Sequence, residues 1–175
     1  SGSKVTVWPQ PQAVLWKKTF IEHLTYGFFR KLCIATGILE RYPELKNEDF
    51  GLRYANNTSI QIDALFGVNT PVKEKSSVKG PHLDNPREVY ACLCYFPLKG
   101  DKAGGDLTLY RYTTDTPKFY GKRFSDDVEP LKTINYEPNT AVFFVNTPQS
   151  LHGVSEREKT DVYRRYVNFE CEFRK

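Results

Sequence analysis

The sequence predicts a mainly β domain, an antiparallel sandwich or barrel, with helices supporting it at the N-terminal end. Three observations carry this. Apolar residues recur at helical spacing only in the first quarter of the chain. From residue 52 onward come short runs dense in β-branched and aromatic residues. Turn signals separate those runs with no helical pattern among them, which favours sheet packed on sheet over βαβ units. The 175 residues show no break in composition and fit a single domain over 1–175, with 4–50 as helical support and 52–175 as core.

The elements follow in order. Leu15, Phe20, Leu24, Phe28, Leu32 and Ile38 predict one or two helices over 12–41, with Gly27 and Gly37 as break points. His23 falls inside this pattern and reads as an ordinary packed or surface residue. Leu52–Tyr54 and Ser59–Phe66 are short strands, the second alternating Ile60, Ile62 and Ala64 against Gln61, Asp63 and Leu65. Gly67–Gly80 is polar and lysine-rich and reads as a mobile loop. Four further strands are predicted over Glu88–Pro97, Asp106–Tyr112, Thr140–Asn146 and Tyr163–Phe173. Between the second and third of these, Thr113–Pro138 reads as a long charged and aromatic loop.

Composition narrows the function. A net charge of +4 without a basic block does not suggest a nucleic-acid partner. No run approaches the roughly 18 apolar residues of a membrane span, and no signal peptide is evident, so a cytoplasmic protein is expected. Cys92 and Cys94 lie two apart on one strand, and Cys33 and Cys171 stand in apolar surroundings. They read as buried free thiols rather than as a disulfide framework.

Two of the three histidines stand at strand ends. His82 precedes a strand and has Asp84 at i+2; His152 follows the strand over Ala141–Val145. In extended backbone, residues i and i+2 share a face, so His82 and Asp84 can converge on one point. A turn alone is the plainer explanation, because Asn85-Pro86 is turn chemistry. With His152 added, two imidazoles and one carboxylate form the facial set that non-haem Fe(II) oxygenases use, leaving three positions of an octahedral ion open. Arg165 adds to this. If 165–173 is one strand, Arg165 shares a face with Val167, Phe169, Cys171 and Phe173, and a charge on an apolar face needs an anion. That anion is an internal Asp or Glu, or the carboxylate of a bound ligand. A register slip of one residue would substitute Arg164.

His82-Leu83-Asp84-Asn85-Pro86, Tyr95, Gly104-Gly105-Asp106-Leu107, Pro138-Asn139-Thr140-Ala141, His152-Gly153-Val154 and Arg165-Tyr166 together resemble, in order, the motifs of 2-oxoglutarate/Fe(II)-dependent dioxygenases, above all the prolyl 4-hydroxylase-like branch. The resemblance covers roughly residues 52–175; Pro97 departs from it, standing where the family often has asparagine. It implies a double-stranded β-helix (jelly roll, cupin-like) flanked by N-terminal helices. It implies His82, Asp84 and His152 as ligands of Fe(II), and Arg165 as partner of the distal carboxylate of the cosubstrate 2-oxoglutarate, with Tyr95 donating to the same carboxylate. The implied reaction consumes O2 and hydroxylates a substrate as 2-oxoglutarate is decarboxylated to succinate and CO2. That substrate is a prolyl residue of a protein or peptide, or a small molecule such as a free amino acid or sugar. A non-catalytic jelly-roll metal-binding module and a zinc hydrolase with the same ligands are the competing readings; against the hydrolase, no obvious base stands near the ligands.

Overall fold

The computed structural model describes residues 30–46, 50–53, 58–77, 79–115, 121–122 and 127–174. Two short helices, α1 (Arg30–Ala35) and α2 (Ile38–Arg41), lead into a 3-10 turn over Pro43–Lys46. Gly37 separates them at φ 69, a left-handed conformation that glycine adopts without a Cβ penalty. The rest of the helical expectation, with His23 and Gly27, lies outside the described residues.

Ten strands follow: β1 (Phe50–Leu52), β2 (Ile60–Asn69), β3 (His82–Leu83), β4 (Glu88–Tyr95), β5 (Leu107–Tyr112), β6 (Gly121–Lys122), β7 (Val128–Ile134), β8 (Ala141–Val145), β9 (His152–Val154) and β10 (Arg164–Phe173). They form two five-stranded sheets, ordered β1-β2-β10-β4-β8 and β6-β3-β9-β5-β7. Every pairing is antiparallel except that of β1 with β2. The architecture is a β-sandwich.

The first sheet is buried on both faces, and its two faces differ. Ile60, Ile62, Ala64, Val167, Phe169 and Cys171 pack with Ile38, Leu39 and Tyr42 from the helical segment, away from the second sheet. The opposite face meets the second sheet through Tyr95, Leu93, Val142, Phe144 and Tyr166, against Leu107, Leu109, Ile134 and Tyr136. Strand alternation assigns β10 accordingly: residues 165, 167, 169, 171 and 173 face the helices, and 164, 166, 168, 170 and 172 face the interior.

The predicted strands at Glu88, Asp106, Thr140 and Tyr163 are present with ends shifted by one or two residues. Two loop expectations are corrected. β2 runs on to Asn69, and the segment after it is tied down: Val72 bridges Thr160, Ser76 bridges Arg157, and Ser77 Oγ donates to the Val154 carbonyl. The stretch expected as a loop over 113–138 contains β7, a full partner of β5. β7 escaped because it lies at a sheet edge, where Pro130 is tolerated and Leu131 stays exposed. The strands β3, β6 and β9 are two or three residues long, too short for alternation to register. Among the described residues, no helix is long and apolar enough to cross a membrane.

A buried ion pair locks the chain segments flanking β5 and β9. Arg157, with no exposed surface, sets Nη2 3.1 Å from Asp101 Oδ2 and donates from Nη1 to the Gly104 carbonyl at 2.7 Å. Replacing one partner leaves the other charge buried and unpaired, so Arg157→Ala should lower unfolding free energy by about 3–5 kcal/mol. Arg111→Ala, which breaks an exposed pair with Glu129, should cost less than about 1 kcal/mol. Urea denaturation of both variants checks the contrast, and equal losses would refute it.

Candidate metal centre

His82 and His152 are directly opposite each other in the β3–β9 pairing. Cβ atoms so paired lie about 4.5–5.5 Å apart, which brings the two imidazoles onto one face. Their ring centroids are 4.3 Å apart. Asp84 stands two residues beyond His82, on the same side, where the chain leaves β3 for the Asn85-Pro86 turn. Its Oδ1 lies 3.4 Å from His82 Nε2 and its Oδ2 3.4 Å from His152 Nε2. The three ligand atoms lie within 4.8 Å of one another.

Backbone carbonyls fix which nitrogens face inward. His82 Nδ1 is 2.8 Å from the Gly80 oxygen and His152 Nδ1 is 2.9 Å from the Ser150 oxygen. A carbonyl only accepts, so each Nδ1 carries a proton and each ring turns its Nε2 toward Asp84. Burial lowers the pKa of His152 despite the nearby Asp84 charge, favouring the neutral ring. Burial works against the Asp84 carboxylate too. Its neighbours His82, His152 and Lys79 outweigh it and hold that carboxyl below its ordinary range. Nε2 of both rings and the Asp84 carboxylate thus face one point, an arrangement of a size to hold a metal ion. Two imidazoles and a carboxylate suit a first-row divalent ion and leave positions for other ligands.

Phe144 of the first sheet packs on His152 at 4.5 Å between centroids, so the centre faces the space between the sheets. From there the interior runs in two directions. One is polar. Arg53 donates to Glu172 (2.8 Å) and Glu170 (3.3 Å), with Asp63 at 3.6 Å. A β-bulge adds Glu88: between Cys171 and Glu172 the partner on β4 jumps from Tyr90 to Glu88, skipping Val89. The skip turns Glu88 to the face of Glu172. There burial, then the charges of Asp84 and Glu170, push its carboxyl up to about 7. A cleft of about 320 Å³ lined by Arg53, Gln61, Arg87 and Glu172 opens at this end.

The other direction ends at an arginine, and it is Arg164. Arg164 is 2% exposed and is surrounded by the rings of Tyr95, Tyr136 and Tyr166 at 5.2, 4.9 and 4.9 Å. Its Nε donates to the Gly105 carbonyl (2.8 Å) and its Nη1 to Asn69 (3.3 Å), while Nη2 is buried with no partner. Burial lowers its pKa, and no carboxylate figures among the charges acting on it. Tyr95 Oη is likewise buried, with the Arg164 guanidinium beside it, and burial pushes its pKa up to about 12, so it keeps its proton. Among the described residues neither Nη2 nor this hydroxyl donates to a third group, and the two meet in one cage.

Arg165, expected in that role, lies on the other face of β10, and its Nε too is buried without a hydrogen-bond partner among the described residues. The residue does share a face with Val167 and Phe169, as the alternation requires, but that face packs on the helices. The apolar side of β10 is the outer core, and its ionisable groups Glu170 and Glu172 lie on the other side. Asn69, Tyr136 and Tyr166 were missed with it. The signal was present: β2 and β10 both carry a polar face (Gln61 and Asp63; Asn168, Glu170 and Glu172), too rich in ionisable groups for two chance exposures. Tyr95, expected beside the cosubstrate carboxylate, lies in the cage with Arg164. The doublet Gly104-Gly105 acquires a reason as well. A Cβ on Gly105 would sit 2.9 Å from Arg164 Cδ and 3.0 Å from Arg157 Cγ.

Comparison with protein-family models and with curated proteins gives no match. Among solved structures, a chain from work titled "Bacillus endospore appendages form a novel family of disulfide-linked pili" is similar over 69% of this chain and 95% of its own, at 13% identity and a TM-score of 0.36. A likeness at that level carries no argument about fold or activity.

Proposed function

We propose that the protein is a 2-oxoglutarate/Fe(II)-dependent dioxygenase that hydroxylates its substrate, built on a jelly-roll version of the sandwich. The observation that carries this is the pairing of a three-ligand centre with a buried guanidinium that has no anion. His82, Asp84 and His152 would hold the ion. Arg164 and Tyr95 would hold the far carboxylate of the cosubstrate through the two donors that lack acceptors. The ordered motifs of the sequence support the same reading. The chemistry such an ion supplies is the coupling of 2-oxoglutarate decarboxylation, to succinate and CO2, to hydroxylation by O2. The protein's share is orientation and exclusion of water: fixed imidazole tautomers, a carboxylate kept ionised, and an aromatic interior between metal and arginine. The polar space around Glu88, Asn168 and Glu170 is left for the substrate, a peptide or a small molecule.

A metal-dependent hydrolase is the second reading, because Glu88 has a pKa suited to a general base and feels the charge of Asp84. It leaves Arg164 without a role.

Fe(II) and 2-oxoglutarate added under argon should give the weak visible charge-transfer band of the chelate. The band should be absent from His152→Ala; no band in the wild type, or one that survives the substitution, sinks the oxygenase reading and leaves the hydrolase. Calorimetry in the same buffer should show Arg164→Met weakening 2-oxoglutarate by about 10- to 100-fold, as expected on losing charge-assisted hydrogen bonds. Arg165→Met should change it by less than about twofold, the spread of a substitution remote from the ligand. A divalent ion at about 100 times its dissociation constant should stabilise the wild type by about 2.7 kcal/mol, and His82→Ala should lose that gain in a thermal melt.

A further inference from the structure

Tyr136 lies outside every motif of the sequence, yet it touches each part of the arginine cage. Its ring lies 4.9 Å from the Arg164 guanidinium and 5.8 Å from that of Arg157, and meets Tyr95 edge-on at 5.2 Å. Its hydroxyl accepts from the Arg165 amide at 2.7 Å and donates to the Arg165 carbonyl at 3.0 Å. The second pair of bonds repairs a gap. The β4–β10 ladder begins at Tyr166 opposite Tyr95, and Phe96 adds one bond to the Arg165 carbonyl, so the Arg165 amide has no strand partner on that side. A side-chain hydroxyl supplies it, at the peptide next to Arg164. The Tyr136 amide in turn donates to Asp106 Oδ1 at 2.7 Å, and the Asp106 amide is held by Ser155 Oγ at 2.9 Å. Tyr136 is thereby anchored to the second sheet and grips the first.

We propose that Tyr136 is a positioning residue for the anion that Arg164 receives: by clamping the backbone beside Arg164 and flanking its guanidinium, it aims the free Nη2 toward the same point as the Tyr95 hydroxyl. This rests on the cosubstrate reading above. It goes beyond it in assigning selectivity for a distal carboxylate to a residue that does not itself touch the ligand. A ring alone supplies cation–π attraction but no direction; the hydroxyl supplies the direction.

Two ligands separate positioning from general loosening. Both 2-oxoglutarate and pyruvate carry the 2-oxo acid that a metal chelates, but only the former has a second carboxylate. Binding of each to Mn(II)-loaded protein is measured by calorimetry without oxygen. Tyr136→Phe should weaken 2-oxoglutarate about tenfold, the order expected when hydrogen bonds to a buried group are lost, and leave pyruvate unchanged. Tyr136→Leu, which removes the ring too, should widen that gap. An equal loss for both ligands, or no loss for either, overturns the proposal. Should Tyr136→Phe not fold, Asp106→Ala tests the same point, since it frees the Tyr136 backbone while keeping its side chain; it too must weaken 2-oxoglutarate selectively. If wild-type protein binds neither ligand more tightly with Mn(II) than without, the cosubstrate reading itself has failed, and the clamp falls with it. If wild type binds 2-oxoglutarate and the Tyr136 variants bind it equally, only the clamp is wrong.

Discussion

A buried guanidinium with no carboxylate beside it sets the terms for the interior of this domain. Taking such an ion out of water costs several kcal/mol even after relaxation. Each aromatic face returns about 0.5–2 kcal/mol and each charge-assisted hydrogen bond about 1.5–3 kcal/mol. Three tyrosine rings, a glycine carbonyl and an asparagine therefore make Arg164 tolerable, but they leave Nη2 unmet. Arg157 shows the other solution a short distance away, with a carboxylate on its fork and no surface in water. One arginine has a carboxylate partner; the other, among the described residues, has none. The difference lies in what the chain withholds, and it extends to the glycines, since any Cβ at position 105 would press on both side chains.

The metal end is organised by backbone rather than by charge. Cross-strand pairing sets the two histidines face to face, carbonyls choose their tautomers, and the turn after β3 brings in the carboxylate. Phe144 links this end to the cluster that contains Tyr95, Tyr136 and Tyr166, so metal ligands and arginine share one packed interior.

Legibility in the sequence followed the length of each element. The long strands announced themselves by alternation, and the i, i+2 spacing of His82 and Asp84 pointed to two members of the histidine–aspartate cluster. What alternation could not give was direction. It showed that β10 has two unlike faces, and the expectation that an interior is apolar sent Arg165 inward. The helices complicate that expectation, because Ile38, Leu39 and Tyr42 cover one oily face, and the space between the sheets holds buried polar groups beside its own cluster of Leu93, Val142, Phe144 and Leu107. Tyr136 was invisible for a related reason: its importance depends on a missing ladder bond, which exists only once the strands are paired. Glu88 was hidden by a bulge, since a skipped residue changes the face of everything before it.

β10 therefore separates two media within one molecule, hydrocarbon on one side and something closer to a structured electrolyte on the other. Its tolerance to change should alternate in kind rather than in degree. At positions 167, 169 and 171 the permitted residues are limited by volume, and a polar atom of the right size is no substitute. At 168, 170 and 172 they are limited by charge and hydrogen-bonding capacity, and size matters less. A lineage could remake the specificity of this domain by drifting along the second set while the first held the fold unchanged.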